Sequence, residues 1–304
     1  MNLTAEKFAA MKIAYDMAFK SAFEGTPSVY EQFAMTVGDS AHTTVKLPFM
    51  EQFACMRKWL GPRHIKNLEG KVITMTEDAY EETVGIKSRE IETDNWGMYM
   101  PSIQQMAVSG KALWDKLAVE ALLSPAAWID GKAFFATDRK YGDGKKAGTI
   151  NNKTTSALSA TAFKTARQTM FAYAGHEGEP LAVNPDTLMV GPALEFTARD
   201  ILENDFEVDA TGKVAVRNSC KGLAKLIVNP RITGEHANCW FLMSCGGPIK
   251  PVAVQKSKEA TLISKNRPDD EGVFMEDMAI FGTSAYGSAA AAFPHLVYGG
   301  IVSA

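Results

Sequence analysis

Residues 80–123 read YEETVGIKSREIETDNWGMYMPSIQQMAVSGKALWDKLAVEALL, and two periods follow one another within them. Residues 80–91 read as one long strand, with Thr83-Val84-Gly85-Ile86 at its centre. From Pro101 the rhythm becomes helical. Ile103, Met106, Ala107, Gly110, Leu113, Trp114, Leu117, Ala118, Ala121 and Leu122 recur at spacings of three and four for about six turns. Pro101 suits a first turn, and Ser124-Pro125 ends the helix, because a residue before proline is driven out of the helical region. A long strand feeding a long helix makes a rigid, elongated unit.

Upstream, residues 1–25 fit one amphipathic helix. Phe8, Met11, Tyr15, Phe19, Ala22 and Phe23 share a face, Thr4 can cap the start, and Gly25 with Pro27 closes it. Such an aromatic stripe must pack, either on its own domain or on a neighbouring subunit. Thr43-Thr44-Val45-Lys46-Leu47 alternates like a strand and stops at Pro48, and Val72-Ile73-Thr74-Met75-Thr76 resumes one. The long apolar connection between them suggests a flap, either an interaction surface or a loop tucked over its own core.

Downstream, residues 137–156 are rich in Gly, Asp and Lys and read as a loop-like domain boundary. Residues 159–174 form a capped helix, 188–190 a short buried strand, and Pro192 opens a helix through Ile201 and Leu202. Residues 223–228 and 240–243 are core strands; 273–281 and the Gly/Ala-rich 287–293 complete the chain. No internal repeat is present.

Composition narrows the functional class. The 304 residues are 46% apolar and 22% charged, with a formal charge of −3, which excludes a disordered chain. The sequence pI of about 6.0 argues against a dedicated nucleic-acid binder. Mean hydropathy is −0.11 and no run has the length and apolarity of a spanning helix, so no membrane partner is expected. Residues 1–25 carry Glu6 and Asp16 where a signal peptide would be apolar. The 4 cysteines, Cys55, Cys220, Cys239 and Cys245, form no CxxC pair and suggest a reduced, cytosolic setting.

The search for chemistry returns little. Nucleophile-elbow, zinc-protease, P-loop and dinucleotide fingerprints are all missing. Gly142-Asp143-Gly144-Lys145-Lys146 lacks the spacing and hydroxyl of a phosphate loop. His236, Cys239 and Cys245, with Cys220 upstream, lack the paired spacing of tetrahedral zinc, so buried structural cysteines are expected. His42, His64, His176 and His295 are isolated, although a Cys/His dyad could assemble in three dimensions. Glu81-Glu82, Asp269-Asp270 and Glu276-Asp277 are neighbours; on a strand such pairs point to opposite faces and do not converge. Residues 132–167 are net basic but support only weak, salt-sensitive phosphate contact. No cofactor, metal or catalytic residue is assigned.

The order of the pieces and several local matches carry more. Pro27-Ser28-Val29-Tyr30 with Ala34-Met35, Trp59-Leu60-Gly61-Pro62-Arg63, Asn67-Leu68-Glu69, and Glu82-Thr83-Val84-Gly85-Ile86-Lys87-Ser88-Arg89-Glu90-Ile91-Glu92-Thr93-Asp94 are four. Asp130-Gly131-Lys132-Ala133-Phe134-Phe135-Ala136-Thr137-Asp138, Leu188-Met189-Val190-Gly191-Pro192-Ala193-Leu194-Glu195, Asp269-Asp270-Glu271-Gly272-Val273-Phe274-Met275 and Gly282-Thr283-Ser284-Ala285-Tyr286-Gly287 follow. Together they resemble the major head subunits of Mu-like bacteriophages, a branch of the Hong Kong 97-like capsid proteins. Arg139 stands where the family often has His.

The resemblance implies an α+β fold and a non-enzymatic role. It implies an N-terminal arm (1–38), an extended loop lying on an adjacent subunit (39–76), a peripheral domain (77–149 and 250–304) and an axial domain (150–249). It implies self-assembly through pentamers and hexamers into an icosahedral or prolate shell around double-stranded DNA, in the virion, after assembly in the host cytoplasm. A separate scaffolding protein, a portal, decoration proteins and weak non-specific contact with packaged DNA are the implied partners. Shells of this fold generally expand on maturation. The arm begins almost at Met1, so little or no trimming is expected, and no cross-linking Lys–Asn pair is carried over. Candidate inter-subunit contacts are Phe8, Tyr15, Phe19, Phe49, Phe53, Met56, Trp59 and Leu60. An encapsulin-like compartment is the near rival, and a soluble α/β enzyme with a convergent polar pocket the distant one.

Overall fold

A computed structural model describes residues 5–38, 42–49, 71–93, 95–141, 148–175, 180–208, 215–267 and 270–302. Two lobes share a continuous interior. In the first, a four-stranded sheet runs β1 (Ala34–Val37), β13 (Val252–Lys265), β14 (Met278–Ala291), β4 (Asp78–Lys87). β1 is parallel to β13, and the other pairings are antiparallel. Period-two alternation holds along the paired stretches of β14 and β4. Ala279, Phe281, Thr283 and Ala285 of β14 stand opposite Ile86, Val84, Glu82 and Tyr80 of β4, and this row faces the helices.

Helix α4 (Met100–Leu123), about 36 Å long at 1.5 Å per residue, lies on that face. Its approach is set by small residues. A Cβ on Gly110 would stand 2.6 Å from the Ala260 Cβ, and one on Gly287 would stand 2.6 Å from the Trp114 ring and 2.3 Å from the Gln255 carbonyl oxygen. Trp114 is fully buried as a result. On the adjacent residue, the buried Asp115 carboxylate accepts the backbone N–H of Val29 at 2.9 Å and that of Tyr30. Burial pushes this carboxyl above its ordinary range, against the downward pull of those two amides. It pins the start of α2 (Tyr30–Phe33) to α4.

Helix α1 (Ala5–Gly25) packs along α4 through Phe8, Met11, Tyr15 and Phe19. Tyr15 meets Phe281 edge-on at 4.9 Å. The strand expected over 80–91 ends at Lys87 and continues as α3 (Ser88–Glu92). The reason is the ladder: Lys87 pairs with Met278, the first residue of β14, and the Ser88 amide then donates to the Asp277 carbonyl. Beyond that point β4 has no partner to extend along. Strand β13 has no counterpart among the segments read from the sequence.

The second lobe is a five-stranded sheet in the order β11 (Lys225–Val228), β8 (Thr187–Val190), β12 (Trp240–Met243), β15 (Val297–Gly300), β7 (Lys153–Thr154). Leu188, Val190, Leu242 and Tyr298 pack with α5 (Ala160–Phe171) and α6 (Glu195–Leu202), while Met189, Phe241, Met243 and Val297 join the core around α4. Coverage on both faces explains the unbroken apolar runs of β8 and β12. Ser159 caps α5 by accepting the Ala162 amide at 3.1 Å. Strand β15 places residues 297–300 in this sheet, apart from the strands of 252–291 with which the sequence reading grouped them.

The stretch 137–156, expected to be loop-like, contains the hairpin β5 (Arg139–Tyr141)/β6 (Gly148–Ile150) as well as β7. A further hairpin joins β2 (Thr44–Phe49) to β3 (Lys71–Thr76). Here β2 runs through Pro48 rather than stopping at it, since an edge strand tolerates a missing N–H. Phe49, Ile73 and Met75 are buried in the second core, so the stem of the expected extended loop is part of the chain's own interior. Phe49 and Phe293 flank the buried His295, whose imidazole burial pushes down from its usual value to about 3.

Two outcomes follow from this packing. Gly287→Ala should lower stability by about 1–3 kcal/mol, because neither the Gln255 carbonyl nor the Trp114 ring can withdraw freely; an earlier urea midpoint at unchanged slope would report it. His295 is neutral in the folded chain and takes up a proton only on unfolding between about pH 3 and its ordinary pKa of 6.5. Its contribution is therefore complete above pH 6.5 and declines as pH falls below that, by about 1.4 kcal/mol per unit. From pH 7 to 5, His295→Leu should lose about 2 kcal/mol less stability than the parent chain in paired denaturant titrations.

Candidate assembly surface

The candidate contact residues divide into two groups. Phe8, Tyr15, Phe19 and Phe49 are buried within the chain itself, so the self-packing alternative describes the aromatic stripe of α1. Phe53, Met56, Trp59 and Leu60 lie outside the described residues. The large apolar side chains that α1 leaves to solvent are Ile13 and Met17, one turn apart and away from the buried stripe.

Among the described residues, the most exposed aromatic side chains sit on the second lobe. Phe196 is 78% exposed, Phe206 68% and Phe171 48%. Each is displayed by local structure. Helix α6 turns Ala198, Ile201 and Leu202 to the sheet, which leaves Phe196 outward. Phe206 begins β9 (Phe206–Val208), paired with β10 (Ala215–Arg217). Buried Asn218 ties this hairpin to the end of α6: its Nδ2 donates to the carbonyls of Ile201 and Asn204, both at 2.9 Å, and its Oδ1 accepts the Cys220 amide at 2.8 Å. Phe171 closes α5 beneath the Arg167 guanidinium, 5.0 Å from the ring centroid, and Arg167 also donates to the carbonyls of Pro185 and Leu223.

Ion pairs surround these rings. Lys164 bridges α5 to Glu207 at 3.1 Å, and Arg199 meets both Glu195 and Glu203 at 2.9 Å. Exposed pairs contribute about 0–1 kcal/mol each, so they orient side chains more than they hold the lobe together. Exposed aromatics on tethered elements with a charged surround have the composition of an interface centre and rim. The sequence reading passed over them. The signal was present in α6, where Phe196 falls off the stripe formed by Ala198, Ile201 and Leu202. The hairpin bearing Phe206 is too short for a periodicity.

Among the described residues, the His, Cys, Asp and Glu candidates form no group of three that could hold a metal, and the neighbouring acids of β4 point to opposite faces. Glu82 pairs with Thr283 in the inward row and Glu81 with Ser284 on the opposite face. Burial raises the thiols of Cys220, Cys239 and Cys245, the last to about 12, so these three are not thiolates at neutral pH. No described helix is long and apolar enough to cross a membrane. Residues 142–146, His64 and His176 lie outside the described residues.

Comparison with known proteins gives this geometry a context. The family model for the Mu-like prophage major head subunit gpT matches residues 8–157, 150–232 and 230–301. The major capsid protein of Escherichia phage Mu is 23% identical over 288 residues, covering 93% of this chain and 70% of the relative. The Mu-like prophage FluMu major head subunit of Haemophilus influenzae is 22% identical over 286 residues, with the same coverage. Among solved structures, a chain of the procapsid of bacteriophage JBD30 superposes with a TM-score of 0.59 at 23% identity, covering 98% of this chain and 75% of that one. A virus-like particle from Pyrococcus furiosus gives 0.54 at 10% identity, with 94% and 97% covered. At such identities the structural likeness establishes the fold, the α+β arrangement of Hong Kong 97-like shells.

Proposed function

The chain belongs to the family of Mu-like prophage major head subunits, and from that premise we propose how its surfaces divide the work of assembly. It is a major capsid protein, a structural component of the phage virion and not an enzyme. Its function is self-association. In the proposed arrangement, copies form pentamers and hexamers that close into an icosahedral or prolate shell around packaged double-stranded DNA.

The second lobe, residues 150–249 completed by β15, is the axial domain. Residues 77–149 with β13 and β14 are the peripheral domain. The observation that carries this division is that, among the described residues, the most exposed phenylalanines lie on the axial side, on elements held by Asn218 and Arg167. Head-to-tail contacts around a closing rotation place a different patch of the next copy against these rings. Since Phe8, Tyr15 and Phe19 are occupied internally, Ile13 and Met17 are the outward contacts of the arm, residues 1–38. Residues Phe53, Met56, Trp59 and Leu60 of the extended loop anchor on a neighbouring copy, aromatic and methionine side chains being the strong contributors to such contacts. A separate scaffolding protein, a portal and decoration proteins complete the head, with only weak contact to DNA from a chain of formal charge −3.

Electron microscopy of the purified chain, alone and with its scaffold, tests the reading. Rings, tubes or shells are expected; persistent monomers would overturn it. In the double variant Phe196→Ser, Phe206→Ser, the loss of two anchors worth about 2 kcal/mol each should raise the concentration needed for assembly at least about tenfold, with unchanged far-ultraviolet circular dichroism. Trp59→Ala should weaken assembly while leaving monomer stability unchanged, and normal assembly would remove the loop-anchor assignment alone.

A further inference from the structure

The β2–β3 stem is held to the body at its two ends. At the root, the buried Gln255 side chain donates Nε2 to the carbonyls of His42 at 3.1 Å and Thr43 at 3.3 Å, and its Oε1 accepts the Ser288 hydroxyl at 3.1 Å. At the other end, Phe49 meets Trp128 edge-on, with ring centroids 4.8 Å apart. Between these points a cavity of about 270 Å³ separates Ile73 and Thr74 of the stem from Ala126, Ala127, Ala290 and Ala291 of the body. The far end of the stem is thus clasped by an aromatic cluster in which Trp128 makes the shortest contact with Phe49, beside Phe293 at 5.9 Å and His295 at 6.4 Å.

Trp128 is itself positioned from two sides. Its Nε1 donates to the Ala291 carbonyl at 3.0 Å, at the end of β14. The Arg139 guanidinium lies 4.5 Å from its ring centroid. Arg139 is buried, forms an ion pair with Asp130, and donates to the carbonyls of Ala133 at 2.7 Å and Phe134 at 3.2 Å. A buried guanidinium tied down this way cannot move without leaving a charge uncompensated, so it holds the indole firmly. The same segment runs on into the axial lobe: Phe134 meets Phe135 edge-on at 5.1 Å, and Phe135 lies tilted against Phe241 of β12 at 5.5 Å.

We propose that Phe49, Trp128 and Arg139 form a coupling clasp, in which Arg139 is the positioning residue and Trp128 the post, so that the junction between the lobes governs whether the far end of the stem is docked. Displacement of residues 128–139 relative to the end of β14 undocks Phe49, while Gln255 retains the root. The clasp stands on the fold alone. Only its consequence, that the direction of the extended loop follows the angle between the lobes, rests on the shell-subunit reading.

Amide hydrogen exchange of the full chain, followed by mass spectrometry, tests the clasp without requiring assembly. Phe49→Ala should speed exchange at least about tenfold in residues 46–49 and 71–74, with the root near Thr44 and Thr76 unchanged. Arg139→Met should do the same, although Arg139 does not touch the hairpin, and the double variant should add little to either. Arg139→Lys keeps the charge but loses the planar stacking and the forked hydrogen bonding, and serves if the methionine variant fails to fold; it should produce the same local acceleration. Ile201→Val, a core truncation in the axial lobe, should leave the hairpin at the parent rate. The proposal is overturned if the Arg139 variants leave residues 46–49 and 71–74 at the parent rate, or if exchange rises uniformly across stem, root and axial lobe.

Discussion

The seating of Trp114 against Gly287 is the constraint on which the rest of the chain depends. It fixes where α4 lies on the long sheet, because the indole fits there only without a Cβ on residue 287 and with Gly110 flush against Ala260. Interiors are close-packed, so this placement propagates. One residue on, Asp115 faces away from the sheet and captures the amides of Val29 and Tyr30, which sets the turn between α1 and β1. From there β1 is delivered beside β13, and α1 is laid along α4. A tryptophan that faces the sheet and an aspartate that faces the turn after α1 therefore make one residue pair the fixed point of the whole first lobe.

The second lobe joins through continuity of packing rather than through a linker. The inward rows of β8, β12 and β15 share a core with α4, and Phe134 and Phe135 fill the space between them. Gly299 and Gly300 admit the Phe135 ring and the Trp240 indole at distances no side chain would allow. Because β15 lies between β12 and β7, the chain leaves the second lobe after β12, builds β13 and β14, and returns. Both crossings pass the junction where Trp128, Phe293 and His295 gather around Phe49. Relative motion of the lobes must repack this cluster, and packed clusters move between discrete arrangements rather than deforming continuously.

What the sequence disclosed follows from how local the determining forces are. Helices α1 and α4 were legible because one face of each is buried for many turns, and β8 and β12 because both their faces are. Strand β13 was not. Lys256, Lys258 and Glu259 fall where two register shifts occur, between Lys256 and Lys258 and between Lys258 and Thr261, and these break the period of two. The end of β4 was misplaced because it is decided by where β14 begins, some 190 residues later. The stripe of Phe8, Tyr15 and Phe19 looked the same whether its partner was this chain or another. Only the position of α4 resolves it. Exposed Phe196 left a trace in helical spacing, whereas Phe206 stands on a strand of 3 residues, and nothing local distinguishes it from a core position.

The polar groups of the interior explain why chemical motifs were absent. Asp115, Arg139, Asn152, Asn218 and Gln255 are buried, and each bonds backbone groups at a turn or a strand end, Arg139 pairing also with Asp130 and Gln255 with Ser288. The effect of side chains used in this way is to fix the relative placement of elements. Buried thiols with raised pKa values and a neutral His295 belong to the same interior. A subunit whose task is to meet its copies at reproducible angles needs its polar groups disposed like this, since an angular error at a lobe junction is multiplied around a ring. The same disposition recurs behind the exposed aromatics: Asn218 ties the hairpin that carries Phe206 to the end of α6, and Arg167 lies over Phe171 while donating to two backbone carbonyls.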